Sequence, residues 1–440
     1  MRNSLLIVLG AFSLSSCADP QPESTIELTG ASPHMLLLVG DQDEADEDFI
    51  LVLDVDPASA ARGHPISTQP IGHRASMVHH MEYSAPPAGE PIFMNAHHHE
   101  LTLVVDISDP TNPAIINTIH PPEELRFPHD YQRTDQGTRL VGYLRGEGAS
   151  PNTDESTNPG NHGGIAEYTI DGELIRTASA AVPGHEQAVR PYAFKLLLEI
   201  DRFTVTSAPM MEQDWADVVQ IYRYSDFALL HTLELEVGVD HLGNPISGIN
   251  GAGFGQQTLP DGSVFINSYG CNFYHLTGVA SDTPQLDLVY SVETMPADDP
   301  TKIRGACGIP LLIGQYWVQP IGARQEVVVL DLADPKNPQE VFRLKTPDGF
   351  SPHWLGKDPL GNRLILGAEL GGEQGFYVLR MDERNGRLEF DPDFSDYRSD
   401  SPLNLVRSKS VGYISLDRAT WPHGETGTAW GHAAVFFGGE

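Results

Sequence analysis

Apolar and β-branched residues recur along this chain in short runs that end at Asp, Gly or Pro turn signals. Helical 3.6-residue periodicity is nearly absent, apart from one short turn expected near Met210 to Asp217. Two runs share a template: "LVVDISDPTNPAIINTI" (Leu103 to Ile119) and "VVVLDLADPKNPQEVFRL" (Val327 to Leu344). Each reads as strand, Asp, Asp-Pro-x-Asn-Pro, strand. Asp and Asn side chains cap such a turn, proline presets φ, and strands resume on either side, which makes a hairpin. Looser copies start at Phe49, Gly164, Val218 and Gly375, with strands such as "GSVFINSYG" and "NRLILGAEL" between them. Units of four short strands repeating at roughly 40 to 50 residues are propeller blades. The cadence from Met35 onward predicts an all-β fold, one seven-bladed β-propeller over residues 34–440. The rival architecture, two packed β-sandwiches, does not explain a regular cadence across the whole chain.

The amino terminus adds a compartment. Arg2, the apolar run "LLIVLGAFSL" and the small residues of "SSCADP" form a secretory signal too short to remain as a membrane helix. "LSSC" resembles a bacterial lipobox, so residues 1–17 are expected to be a lipoprotein signal peptide. Cys17 would then be the lipid-modified first residue of the mature protein. Ala18, rather than an aspartate, follows it and points to the outer membrane. Residues 18–33 read as a flexible polar tether. No second run of about twenty apolar residues follows, so the lipid is the expected membrane contact.

Acidic residues outnumber basic ones 60 to 27, a formal charge of −33. That balance argues against nucleic acid or an anionic lipid surface as partner. Beyond Cys17, the cysteines are Cys271 and Cys307, which in an exported protein form either a disulfide or two buried thiols. They are expected to be neighbours in adjacent blades.

Histidine changes the picture most. Eighteen are present, several in stereotyped contexts: "VHHMEY", "NAHHHEL", "RFPHDY", "SPHWLGKDPLGN", "TWPHGETG" and "WGHAAVF". Proline extends the residue before it and lacks a donor, so Pro-His reads as the entry to a strand. The innermost strand of every blade lines the channel, so histidines at several entries would converge on the axis. Neutral imidazoles brought together there bind copper, zinc or iron. His79 and His80 are adjacent, and strand neighbours face opposite ways. Both can reach inward only where regular alternation has not begun. His97, His98 and His99 read as mostly solvated, with His98 or His99 a minor candidate. His73, His162, His185, His231 and His241 are given no role. No nucleophile elbow, Walker loop, dinucleotide fingerprint or CxxC occurs, and "GAGFG" (Gly251 to Gly255) has no helix after it.

"DFILVLDVDPAS…PISTQPIGHRASMVHHMEYSA" resembles the opening of the selenium-binding protein family, which includes periplasmic methanethiol oxidases. The hairpins near Asp106 and Asp331 are similar to its LVIVD-type repeat. "RFPHDYQRTDQGTRLVGYL", "GGIAEYTIDGEL" and the terminal "GHAAVFFGGE" follow the family in order. The resemblance implies a seven-bladed propeller with a histidine copper site. His79 and His80 match the family's pair, His129 the first histidine of the third blade, and His432 the C-terminal one. His353 stands at another blade entry and completes the expected metal set. Glu82 and Tyr83 are expected to hydrogen-bond the imidazoles and fix their tautomers, with Trp354 bordering the site. Two departures stand out. "YSAPPAGEPIF" replaces the family's cysteine cluster, and Gln132 occupies the place of a second third-blade histidine.

Three functions follow as expectations. The first is a lipid-anchored copper oxidase of a small thiol, with oxygen as acceptor. The second is a non-catalytic surface propeller binding protein or glycan. The third is a periplasmic metal-binding protein that stores or delivers its ion.

Overall fold

A computed structural model describes residues 25–146, 161–182, 187–210, 214–239, 245–246, 248–292, 305–369, 375–394, 411–424 and 427–439. The lipobox and Cys17 lie outside these residues. The expected turn near Met210 lies partly outside them, and residues 214–217 carry no regular structure.

Seven antiparallel sheets of four main strands make a seven-bladed β-propeller. Blade I takes His34–Asp41, Phe49–Asp54 and Pro65–Pro70 from the amino terminus and its inner strand, Gly427–Phe437, from the carboxyl terminus. Met35 pairs with Phe436 and Leu37 with Ala434, so the two ends of the chain close the ring. The inner strands of blades II to VII are Val78–Met81, Leu125–Arg133, Pro191–Leu197, Gly253–Thr258, Leu311–Ile313 and Pro352–Lys357. Middle strands are packed between neighbouring blades and read as apolar runs: Ile92–Ala96 is buried throughout. The outermost strands face solvent on one side, and Ala114–Ile119 is mostly exposed.

The template hairpins form as the sequence predicts. Asp106 Oδ1 accepts the Ser108 amide at 2.9 Å, and Asp109 Oδ1 the Thr111 amide at 2.9 Å. Asp331 and Asp334 repeat the arrangement with Ala333 and Lys336. Cys271 and Cys307 form a disulfide with Cα atoms 5.3 Å apart, joining the body of blade V to the segment that enters blade VI.

The tether expectation differs from the structure over residues 25–33. The Thr25 and Ile26 amides donate to Glu389, Thr29 N to Asn362 Oδ1, and Ser32 N and Oγ to Asp358. This stretch is a strap laid on blade VII, because its free amides find acceptors there. Arg363 anchors the strap. Its guanidinium is fully buried, pairs with buried Asp358 at 2.7 Å, and donates to the carbonyls of Ser32 and Val55. One residue thus joins strap, blade I and blade VII. Removing one member of a buried pair costs about 3–5 kcal/mol, because the partner charge is left unpaired. Arg363→Ala is therefore expected to lower the unfolding free energy in urea by that amount, while Arg384→Ala, at a solvent-screened pair, should leave it nearly unchanged.

Candidate metal centre

The inner strands share one irregularity. In blade II Val78 pairs with Ala96 and Met81 with Met94, so His79 and His80 together oppose Asn95. Equivalent register shifts fall at His129 in blade III, Tyr192 and Ala193 in IV, Phe254 and Gly255 in V, His353 in VII, and His432 and Ala433 in I. A β-bulge inserts a residue, bends the strand and re-aims its side chain. Here it lets adjacent His79 and His80 share the axis. Asn95 supports that turn: its Oδ1 accepts both the His79 amide (3.1 Å) and the His80 amide (2.9 Å). Its Nδ2 donates to the Pro128 carbonyl of blade III at 3.0 Å. In blade VII, Gly367 lies against the His432 backbone; a Cβ there would stand 2.4 Å from the His432 carbonyl oxygen.

All five histidines of the expected metal set gather at the axis, buried. Ring centroids of His79 lie 4.2 Å from His80, 5.0 Å from His129 and 4.4 Å from His432. His353 is 4.8 Å from His432. His79 and His129 bring their Nε2 atoms to 3.1 Å. His79, His80 and His432 each offer one ring nitrogen within 4.8 Å of the others. Two tautomers are fixed by carbonyls, which can only accept: His129 Nδ1–H donates to Tyr192 O (2.8 Å) and His432 Nδ1–H to Ala368 O (3.1 Å). Both therefore keep an Nε2 lone pair.

His79 Nδ1, both ring nitrogens of His80 and of His353, and His432 Nε2 are buried without a hydrogen-bond partner. Leaving such a group unpaired costs about 1–3 kcal/mol, so the cluster is expensive unless something binds it. Donors held by one ion at about 2.0–2.1 Å stand about 3 Å apart. The spacing and the all-imidazole donor set fit copper or zinc.

Burial depresses every one of these imidazoles. His79, His80 and His432 are pushed well below the ordinary value, by desolvation first and by their imidazole neighbours second. Desolvation brings His129 to about 3 and lowers His353. At neutral pH the rings are uncharged, and each keeps one nitrogen lone pair.

Several expectations require correction. Glu82 is buried, but it turns away from the axis to pair with Arg139 (2.8 Å) and Arg133, locking blade II to blade III. It holds no imidazole. Tyr83 does not hydrogen-bond a histidine either; its hydroxyl donates to Asp130. Its ring stacks on Trp354 at 5.0 Å and 3°, and Trp354 lies 5.4 Å from His80, bordering the site as expected. Of the "HHH" triplet, which forms a 3-10 turn rather than a strand edge, His98 and His99 are exposed. His97, read as solvated, is buried 6.0 Å from His79, with Nδ1–H donating to Pro128 O. His423 has the Pro-His context yet hydrogen-bonds Thr68 away from the axis.

Sequence reasoning missed Tyr192, whose ring packs 4.1 Å from His129. "RPYAF" carries the same proline-before-axis signal as "FPH" and "SPH". Beside the histidines, where inner strands begin and second strands end, opens a cavity of about 310 Å³. Met77, Tyr192, Met210, Phe254, Tyr269 and Glu369 line it, with His79, His353 and His432 contributing.

No protein-family model matches the chain, and no curated protein matches it in sequence. Solved structures do. A hypothetical selenium-binding protein from Sulfolobus tokodaii superposes with a TM-score of 0.65 at 13% identity, covering 93% of this chain and 94% of that one. A periplasmic gluconolactonase from Pseudomonas aeruginosa gives 0.56 at 12% identity over 81% of this chain and 95% of that one. A functionally unknown protein from Desulfotomaculum acetoxidans gives 0.52 at 11% identity, over 82% and 99%. At these identities the likeness establishes a distant β-propeller relationship, which is to say the fold.

Two outcomes follow from this geometry. Asn95→Ala strips acceptors from two buried amides and should cost about 2–4 kcal/mol in denaturant unfolding; Asn95→Asp keeps the acceptor but turns an oxygen onto the Pro128 carbonyl, so it should recover only part of that loss. The second concerns pH. Below about 6.5 the unfolded chain protonates imidazoles that the fold keeps neutral, down to about 4 for His97 and about 3 for His129. The unfolded state then binds more protons, so stability falls as pH is lowered through that window, with a slope of up to about 1.4 kcal/mol per pH unit for each such histidine. Metal-free protein should show this slope between pH 6.5 and 4, and replacing His97 with Phe should reduce it.

Proposed function

We propose that this protein is an exported, lipid-anchored, copper-dependent oxidase of a small thiol with oxygen as acceptor, similar in chemistry to methanethiol oxidases. The observation that carries the reading is the set of unpartnered, neutral ring nitrogens of His79, His80, His353 and His432 beside His129 on one axis. The resemblance of "VHHMEY", "RFPHDY" and "GHAAVFFGGE" to the selenium-binding protein family supports it, as does the fold shared with the hypothetical selenium-binding protein from Sulfolobus tokodaii. The lipobox supplies the localisation, an outer-membrane anchor through Cys17.

His79, His80, His129, His353 and His432 would hold copper, which would supply a soft, redox-active centre suited to thiol chemistry. The chain's own residues do the rest. The Tyr192 and Ala368 carbonyls hold the protons of His129 and His432 on Nδ1 and leave Nε2 facing inward. Asn95 holds the two backbone amides that keep His79 and His80 side by side. The mainly apolar cavity has room for a small sulfur compound beside the histidines, while Trp354 and Tyr83 pack on the other side of His80. The missing cysteine cluster removes the family's selenium chemistry from the proposal.

Metal analysis of protein purified without a histidine tag tests this. One equivalent of copper per chain is expected, retained in His98→Ala and lost in His80→Ala, with oxygen uptake on addition of methanethiol only in the loaded forms. A folded parent protein with no bound metal would overturn the proposal and leave a binding propeller.

A further inference from the structure

The cavity beside the histidines contains features that a metal site does not need. Glu369 lies in its wall, half-buried. Two hydroxyls fix the carboxylate: Tyr269 Oη–H donates to Oε1 at 2.6 Å and Ser351 Oγ–H to Oε2 at 3.3 Å. Among the described residues, the lining holds no lysine or arginine to neutralise it. From Tyr269 a continuous aromatic wall runs along the cavity, Phe254 on Tyr269 at 4.7 Å and Tyr192 on Phe254 at 4.2 Å. Met77 and Met210 add polarizable thioethers.

A carboxylate fixed by neutral donors in an otherwise aromatic and apolar chamber is the chemistry that recognises ammonium groups. Ring faces attract a cation through their quadrupole, and the carboxylate supplies the counter-charge. The excess of 60 acidic over 27 basic residues favours the approach of cations from solution.

We propose that this cavity is a binding site for a small organic cation, a primary or quaternary ammonium on a short apolar body, with Glu369 as counter-ion and Tyr192, Phe254 and Tyr269 as its aromatic walls. The inference needs no bound metal and goes beyond the oxidase reading, so the two fail separately.

Calorimetric titration of the mature chain, as isolated and after chelation, with three probes of like shape tests it. 2-Phenylethylammonium is expected to bind at least about tenfold more tightly than the neutral 2-phenylethanol, and 3-phenylpropionate not measurably. Glu369→Gln keeps the acceptor for Tyr269; it should cost the amine about tenfold and leave the alcohol unchanged. Phe254→Leu, a second variant should the first not fold, should weaken the amine more than the alcohol. Equal binding of amine and alcohol, or an amine affinity unmoved by a folded Glu369→Gln, overturns the proposal.

Discussion

The bulge at the axis is the constraint on which the rest of this molecule turns. Six inner strands leave register at the residue that faces the channel. A bulge frees backbone groups that must be satisfied without water, and neighbouring blades satisfy them. Asn95 of blade II reaches Pro128 O of III, and His129 of III reaches Tyr192 O of IV. Thr206 of IV reaches Phe254 O of V, and Asn267 of V reaches Cys307 O ahead of VI. The Ile309 amide then reaches His353 O of VII, and Trp354 of VII reaches Ala434 O of I. The same device that aims side chains at the axis therefore sews the blades together. Site geometry and ring stability are one property of the backbone.

How much of this is legible in the sequence follows from which signals are local. Hairpins capped by Asp106 and Asp331 depend on residues two positions away, so their strings suffice to place them. Closure by the two termini carries no local signal, since it pairs Met35 with Phe436 from opposite ends of the chain. The axial histidines are legible because proline marks strand entry at His129 and His353 and because a pair at His79 and His80 has no packing reason. The same proline rule fails at His423: the inner strand Gly427–Phe437 begins shortly after it, yet the imidazole hydrogen-bonds Thr68 on the outer strand of blade I instead of reaching the axis. Glu82 shows the limit more sharply. Sequence adjacency to His80 suggests contact, but beyond the bulge strand alternation resumes and turns Glu82 to the inter-blade face, where Arg139 and Arg133 wait. Asn95 and Glu369 carry no local signal at all. Each becomes meaningful only through the register of a different strand.

The electrostatics of the axis and of the surface are opposed. Outside, a large acidic excess is solvated and tolerable. Inside, burial refuses charge, and several imidazoles that would titrate near neutrality in water remain neutral, because desolvation outweighs every other influence on them. Neutrality costs the fold stability in acid, but it is what makes lone pairs available at once to an incoming ion, without proton release.

One junction in the ring differs from the others. Blades I and II, through the closing carboxyl-terminal strand and the first inner strand, meet at the axis by stacked imidazoles, His79 on His432 at 4.4 Å and 25°. An ion shared by His432 with His79 and His80 would span this junction and join the last strand of the chain to the first inner one. Its binding energy would then add to the stability of the closed ring, since a ligand bound only by the folded state stabilises it by mass action. The chemistry of the site and the closure of the fold meet at His432, which stands on the carboxyl-terminal strand that completes blade I.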